Sequence, residues 1–304
     1  MDATRSVTTG QMPFADGHTW YRITGELAAD TGRAPLVVVH GGPGAAHNYC
    51  LAMQELADDG RAVIHYDQFG CGNSSHRPDW DPSRWTVQLF VDELAALVDR
   101  LGIRNSYHLL GQSWGGMLGP EYVLQHPQGI RSLTICDSPA SMALWIEAAN
   151  TLRAQLPGDV QQTLTEHELA GTTDSAAYRA ATAVFYNRHV CRVVPNPPDV
   201  AATFNQLDDD PTVYQAMNGP NEFHVIGSLK NWTVVDRLAG ISVPTLVVAG
   251  EFDEAMPPVW QPFLDRIPGA RSQVFPDASH MPHVEQPEQF RQVVGDFLRE
   301  HDPH

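Results

Sequence analysis

The chain has 304 residues, 42% of them hydrophobic, and 36 acidic against 19 basic side chains give a formal net charge of −17. At roughly 150 residues per domain, that length fits one large domain or two small ones. The acidity excludes a phosphate backbone as partner, because nucleic-acid binders carry basic patches, and no stretch approaches the roughly 18 apolar residues of a membrane span.

In chain order, residues 19–24 alternate polar and apolar and predict an early antiparallel strand. Residues 36–40, LVVVH, form a short β-branched run that stops at Gly41-Gly42-Pro43-Gly44, the pattern of a buried parallel strand. Residues 62–67 repeat the pattern and end in the turn 68–72. Leu89, Phe90, Leu94, Leu97, Val98 and Leu101 recur at helical spacing between 87 and 101. Two further strands are predicted at 107–110 and 132–136.

The interval from 138 to 232 reads differently. Helical stretches are predicted at 142–156, 160–169 and 175–189, separated by Pro157-Gly158, Gly171 and the proline-rich run 195–198, with no comparable strand. Strands resume at 245–249 and 272–275, and 289–299 closes the chain as an amphipathic helix. The expected architecture is one α/β core, residues 1–137 and 234–304, with a mostly parallel sheet flanked by helices and an inserted helical cap at 138–233.

The strongest chemical signal is GQSWGG at 111–116, which follows a predicted strand and precedes a helical segment. In that context G-x-S-x-G makes a nucleophile elbow with Ser113 at its tip. The helix N-terminus there assists developing negative charge. A serine hydroxyl needs a base, and the base needs an orienting carboxylate, here in the chain order Ser, then Asp or Glu, then His. Asp253 and His280 follow the two late strands and take those roles; Glu251 and His283 are their rivals. His280 is preferred as nearest the strand end. Pro282 breaks the helix that would put His280 and His283 on one face as a metal pair. An oxyanion needs two backbone donors. Trp114, after the nucleophile, supplies one, and Gly42, in the loop after the first parallel strand, is chosen for the other.

HGGPG at 40–44, YDQFGCGNS at 66–74, GQSWGG at 111–116, MNGPNEF at 217–223 and GEFDE at 250–254 resemble the proline iminopeptidase (prolyl aminopeptidase) family of α/β-hydrolases. The likeness is closer to its tricorn-interacting aminopeptidase and amino-acid amidase branch. The resemblance implies an α/β-hydrolase fold and a serine exopeptidase that releases an N-terminal residue, often proline, from short peptides, amides or arylamides. It further implies that Glu222 of GPNEF and Glu254 beside Asp253 hold the substrate's α-ammonium, with Glu251 near enough to share the second role. Physics agrees, because a buried ammonium requires converging carboxylates.

Such chemistry requires no metal or organic cofactor and a small-molecule or small-peptide partner. An esterase, amidase or lactonase using the same triad is the alternative; an epoxide hydrolase or dehalogenase would carry aspartate where Ser113 stands. The first ten residues lack a secretory apolar stretch. Cys50, Cys71, Cys136 and Cys191 are too scattered for a disulfide framework, so a cytoplasmic protein with reduced thiols is expected. Pro120 departs from the family pattern and is expected to kink the helix after Ser113. Trp145, Phe185, Tyr186, Phe204 and Tyr214 either line an apolar pocket or fill the cap.

Overall fold

The computed structural model describes residues 5–27 and 31–303; residues 1–4, 28–30 and 304 of the expected core lie outside the described residues. Eight strands form one sheet: β1 (Val7–Phe14), β2 (Gly17–Thr24), β3 (Leu36–Val39), β4 (Val63–Asp67), β5 (Tyr107–Gln112), β6 (Ile130–Cys136), β7 (Thr245–Gly250) and β8 (Arg271–Phe275). Their order across the sheet is β1-β2-β4-β3-β5-β6-β7-β8. The β1–β2 and β2–β4 pairs are antiparallel, and every pair from β4–β3 to β7–β8 is parallel.

β3 to β7 are buried on both faces, which is why they read as continuous apolar runs. Alternate residues serve opposite cores. Val37, Ile64, Leu109, Ile135 and Val247 meet one core, while Val38, Val63, Leu110, Cys136 and Val248 meet the other. The first face is covered by α1 (Val87–Arg100) and α2 (Trp114–Gln125). α1 starts where the Thr86 side chain accepts the Leu89 N–H.

Between β6 and β7 the chain makes α3 (Met142–Arg153), α4 (Gly158–Ala170), α5 (Ala176–His189), α6 (Pro198–Asp209) and α7 (Thr212–Met217). The two ends of this excursion are tied together. The Met142 N–H donates to the Trp232 carbonyl at 3.0 Å, and the Val234 N–H to the Ala140 carbonyl at 3.0 Å. α8 (Pro257–Arg266), α9 (Pro282–Glu285) and α10 (Pro287–Glu300) complete the chain, with Phe290, Val294 and Leu298 of α10 packed into the second core.

Two elements differ from the sequence expectation. β1 carries Gly10 and Pro13 and lies at the sheet edge, where both are tolerated. The prolines at 195–198 read as a break, yet Pro198 opens α6, because the first helical position needs no N–H.

Candidate active site

β5 ends at Gln112 and α2 begins at Trp114, so Ser113 alone makes the reversal, at φ 56° and ψ −120°. That backbone conformation is costly for a residue with a Cβ and persists only where the surroundings impose it. Here the Ser113 N–H donates to the Cys136 carbonyl at 2.8 Å, and the Ser113 carbonyl accepts from Gly116 at 2.8 Å. The turn also requires the flanking glycines. A Cβ on Gly111 would lie 2.0 Å from the Gly115 carbonyl oxygen, and one on Gly115 would lie 2.1 Å from that of Val39. Pro120 lies inside α2, which continues as one helix to Gln125. The helix is buried from Trp114 to Val123, and this packing offsets the loss of one helical hydrogen bond.

His280 lies in the loop after β8, with its Nδ1 2.7 Å from Asp253 Oδ1. That oxygen also accepts the Ala255 N–H at 2.9 Å, which fixes the carboxylate. Ser113 and His280 line one pocket, together with Gly42, Tyr49, Gln112 and Glu222. Burial lowers the proton affinity of His280, but the Asp253 carboxylate and its hydrogen bond, with Glu222 and Glu285, outweigh it and raise the pKa above 6.5. The two rivals sit elsewhere. His283 is buried with its Nε2 3.1 Å from the Tyr49 carbonyl, and burial pushes its pKa down to about 3. Glu251 is exposed and accepts the Asp277 N–H at 3.1 Å.

Gly42 lies beside Ser113, and Gly42, Ser113 and Trp114 together border a second small apolar space. Among the described residues neither the Gly42 nor the Trp114 backbone N–H has an acceptor. A helix's first N–H groups have none within the helix, so both donors are free to meet a developing oxyanion.

Glu254 is buried and Glu222 half-buried, and they are close enough for the Glu222 charge to act on Glu254. Burial raises both carboxyl groups above the usual range, and for Glu254 the charges of Glu222 and Asp253 push it well above. Glu254 Oε1 is 3.9 Å from His280 Nε2, and among the described residues neither Glu254 carboxyl oxygen has a hydrogen-bond partner. Glu222 Oε1 accepts from the Tyr214 hydroxyl at 2.6 Å. Buried carboxyl oxygens without donors are costly, and their common remedy is a cation.

Three residues in this constellation were not read from the sequence as acting here. Gln112, the variable residue of the elbow, donates to the His280 carbonyl at 2.8 Å and accepts from the Tyr49 hydroxyl, tying the base to the strand that carries Ser113. Asp137 directly follows β6, with both carboxyl oxygens buried and unpartnered among the described residues. Burial and the Asp253 charge hold its pKa well above the carboxylate range. An acid directly after a buried strand was the available signal. The third is the Tyr214 hydroxyl on Glu222. Of the aromatic residues weighed as pocket lining, Trp145, Tyr186, Phe204 and Tyr214 do border cavities. Phe185 instead packs on Phe223, with ring centroids 4.9 Å apart. Among the described residues no cluster of three or more His, Cys, Asp or Glu side chains could hold a metal ion.

A family model described as the alpha/beta hydrolase fold matches residues 34–287. The chain is 37% identical over 298 residues to the proline iminopeptidase of Lactobacillus delbrueckii subsp. lactis, covering 97% of this chain and 99% of the relative. It belongs to the proline iminopeptidase family of α/β hydrolases. Two solved structures are also similar over 97% of this chain and 99% of their own. One, the proline iminopeptidase of Mycobacterium smegmatis, is 56% identical with a TM-score of 0.89. The other, VinJ, is 51% identical with a TM-score of 0.95. The iminopeptidase sheet thus presents Ser113, Asp253 and His280 from loops at the carboxyl ends of β5, β7 and β8, the edge at which parallel α/β sheets bind ligands.

Proposed function

We propose that this protein is a serine aminopeptidase that releases N-terminal proline, or another small apolar residue, from short peptides and amino-acid amides. The observation that carries this reading is the pair of carboxyl groups, buried Glu254 and half-buried Glu222, beside Ser113 and His280. An enzyme that cuts after one residue must hold a free N-terminus at a fixed distance from its nucleophile. Two carboxylates do so by charge-assisted hydrogen bonds. An N-terminal proline presents a secondary ammonium with two N–H bonds, one for each carboxylate. Beside Ser113 and Glu222, the side chains of Met117, Pro139, Met142, Trp145 and Leu229 form a mostly apolar wall for the N-terminal side chain.

In the reaction, His280 takes the Ser113 proton as Oγ attacks the carbonyl of the N-terminal residue. Asp253 steadies the imidazolium, and the oxyanion accepts the Gly42 and Trp114 N–H groups. His280 then protonates the departing nitrogen, leaving an acyl ester on Ser113. Water, deprotonated by His280, releases the amino acid and restores the serine. Residues 138–233 act as the cap that admits small substrates and contributes Glu222. The four free, buried cysteines support a reducing, cytoplasmic setting. Among the described residues no helix is long and apolar enough to cross a membrane.

The deciding assay compares prolyl and alanyl arylamides, their N-acetylated forms and a butyrate ester, with Ser113→Ala as control. Turnover is expected only with a free amine. Equal rates on free and acetylated arylamides would overturn the ammonium clamp, and activity confined to the ester would establish the esterase alternative.

A further inference from the structure

We infer that Gln68 is a positioning residue that sets the spacing of the two oxyanion donors, the Gly42 and Trp114 backbone N–H groups. This inference rests on the acyl transfer at Ser113 proposed above and adds to it a residue that does not border the pocket.

Gln68 directly follows β4 and is completely buried, so its polar atoms need protein partners. Its Nε2 donates to the His40 carbonyl at 2.9 Å, and its Oε1 accepts the Trp114 indole N–H at 2.8 Å. A carbonyl only accepts and an indole N–H only donates, so the two partners fix which way the amide faces. One side chain thereby ties the loop that carries Gly42 to the first residue of α2.

The tie reaches both donors. The Gln68 backbone N–H donates to His40 Nε2 at 3.0 Å, and His40 Nδ1 lies 2.9 Å from the Gly41 carbonyl oxygen. Burial pushes the His40 pKa down to about 4, so near pH 7 the ring is neutral and carries one proton. With Nε2 accepting, that proton sits on Nδ1 and is donated to the Gly41 oxygen. The Gly41 carbonyl and the Gly42 N–H belong to one planar trans peptide and point opposite ways, so holding the oxygen aims the N–H. On the other side the Trp114 ring is buried, edge-on to Phe90 with centroids 5.7 Å apart, and its bond to Gln68 fixes where α2 begins. An oxyanion hole works through donors placed in advance, and Gly41, Gly42 and Gly44 bring no side chains of their own to hold their loop.

The test compares the parent protein with Gln68→Met, which fills the space without either hydrogen bond, and with Trp114→Phe, which keeps the backbone N–H and loses the indole's bond. Turnover of a prolyl arylamide and of a butyrate ester is set beside inhibition by L-prolinal, whose hemiacetal oxygen on Ser113 occupies the hole, and by pyrrolidine, which has no carbonyl. Gln68→Met is expected to lower kcat about ten- to hundredfold with little change in KM, short of the roughly 100- to 1000-fold lost when a donor is removed outright. The prolinal Ki should rise by a similar factor while the pyrrolidine Ki stays in place. Trp114→Phe should give part of the same loss, and the double variant no more than Gln68→Met alone. A raised KM with kcat intact, equal weakening of prolinal and pyrrolidine, or losses that multiply in the double variant would overturn the brace. The ester separates this idea from the aminopeptidase reading, because the hole serves any carbonyl at Ser113. A fall in kcat on the ester supports the brace even where no prolyl arylamide is cleaved, and an unchanged ester kcat overturns it.

Discussion

Asp137 and Asp253 bring two carboxyl groups together at the carboxyl ends of neighbouring strands, and Asp137 keeps its proton. Asp253 Oδ1 is committed to His280 and Ala255, while its Oδ2 is buried and, like both Asp137 oxygens, lacks a fixed partner among the described residues. A neutral Asp137 can donate to the Asp253 side and leave the charge where His280 needs it. Two adjacent ionised carboxylates would not persist in so dry a place.

This relationship sets a pH dependence of stability. In the unfolded chain Asp137 loses its proton near pH 4, whereas in the fold burial and Asp253 hold the proton on. The folded state therefore binds more protons above pH 4, and stability from this group is lost as pH rises toward the folded pKa. Asp137→Asn is expected to melt above the parent protein at pH 8, with the difference shrinking toward pH 4. Thermal melts across that range check it, and parallel curves for the two proteins would contradict it.

The acid limb of kcat/KM for a prolyl arylamide should lie above pH 6.5. His280 must be neutral to accept the Ser113 proton, and its pKa is raised by Asp253 and Glu222 against the effect of burial. Glu222→Gln removes one of those charges, so the limb should move to lower pH as the rate falls. Truncation to alanine is expected to cost about 2–5 kcal/mol in kcat/KM, the order for breaking a buried charge pair. A limb that stays in place would remove Glu222 from the electrostatics of the base.

Tyr214 offers a finer probe of the clamp. Its hydroxyl bond to Glu222 Oε1 directs that carboxylate. Tyr214→Phe is expected to lower kcat/KM on free-amine substrates by about tenfold, corresponding to a hydrogen bond to a charged group at ~1.5 kcal/mol, chiefly through KM. Unaltered KM would mean that Glu222 needs no such guide.

The elbow stores strain that can be measured. Ser113 sits at a positive φ that glycine adopts without penalty. Ser113→Gly and Ser113→Ala both lack the nucleophile, yet the glycine variant should be the more stable by about 1 kcal/mol. Chemical denaturation of the two inactive proteins gives the comparison directly, and equal midpoints would show a relaxed turn.

The parallel strands and the chain order of Ser113, Asp253 and His280 were legible in the sequence. A strand buried on both faces must be apolar throughout, and the sharp turn at its end calls for glycine, so each strand such as β3 or β5 announces itself locally. The helices α6 and α8 were harder. Both begin with prolines, Pro198 and Pro257, which serve as first helical residues, and the run that holds Pro198 reads locally as a break. β1 was hidden by Gly10 and Pro13, whose presence only an edge position permits. Within the site, Glu222 stood out through its motif and not through its chemistry. Asp137, Gln112 and the hydroxyl of Tyr214 depend on contacts between segments far apart in the chain, which no local pattern encodes.

The placing of Glu254, buried without a hydrogen-bond donor among the described residues, next to Glu222 has a thermodynamic consequence. Each carboxyl is held above its usual pKa by burial, and the Glu222 charge adds to the effect on Glu254. A cationic substrate reverses that balance, because only ionised carboxylates grip an ammonium well. Docking a free amine should therefore expel protons into the medium. Its measured heat should shift with the ionisation enthalpy of the buffer, while an acetylated analogue gives the same heat in every buffer.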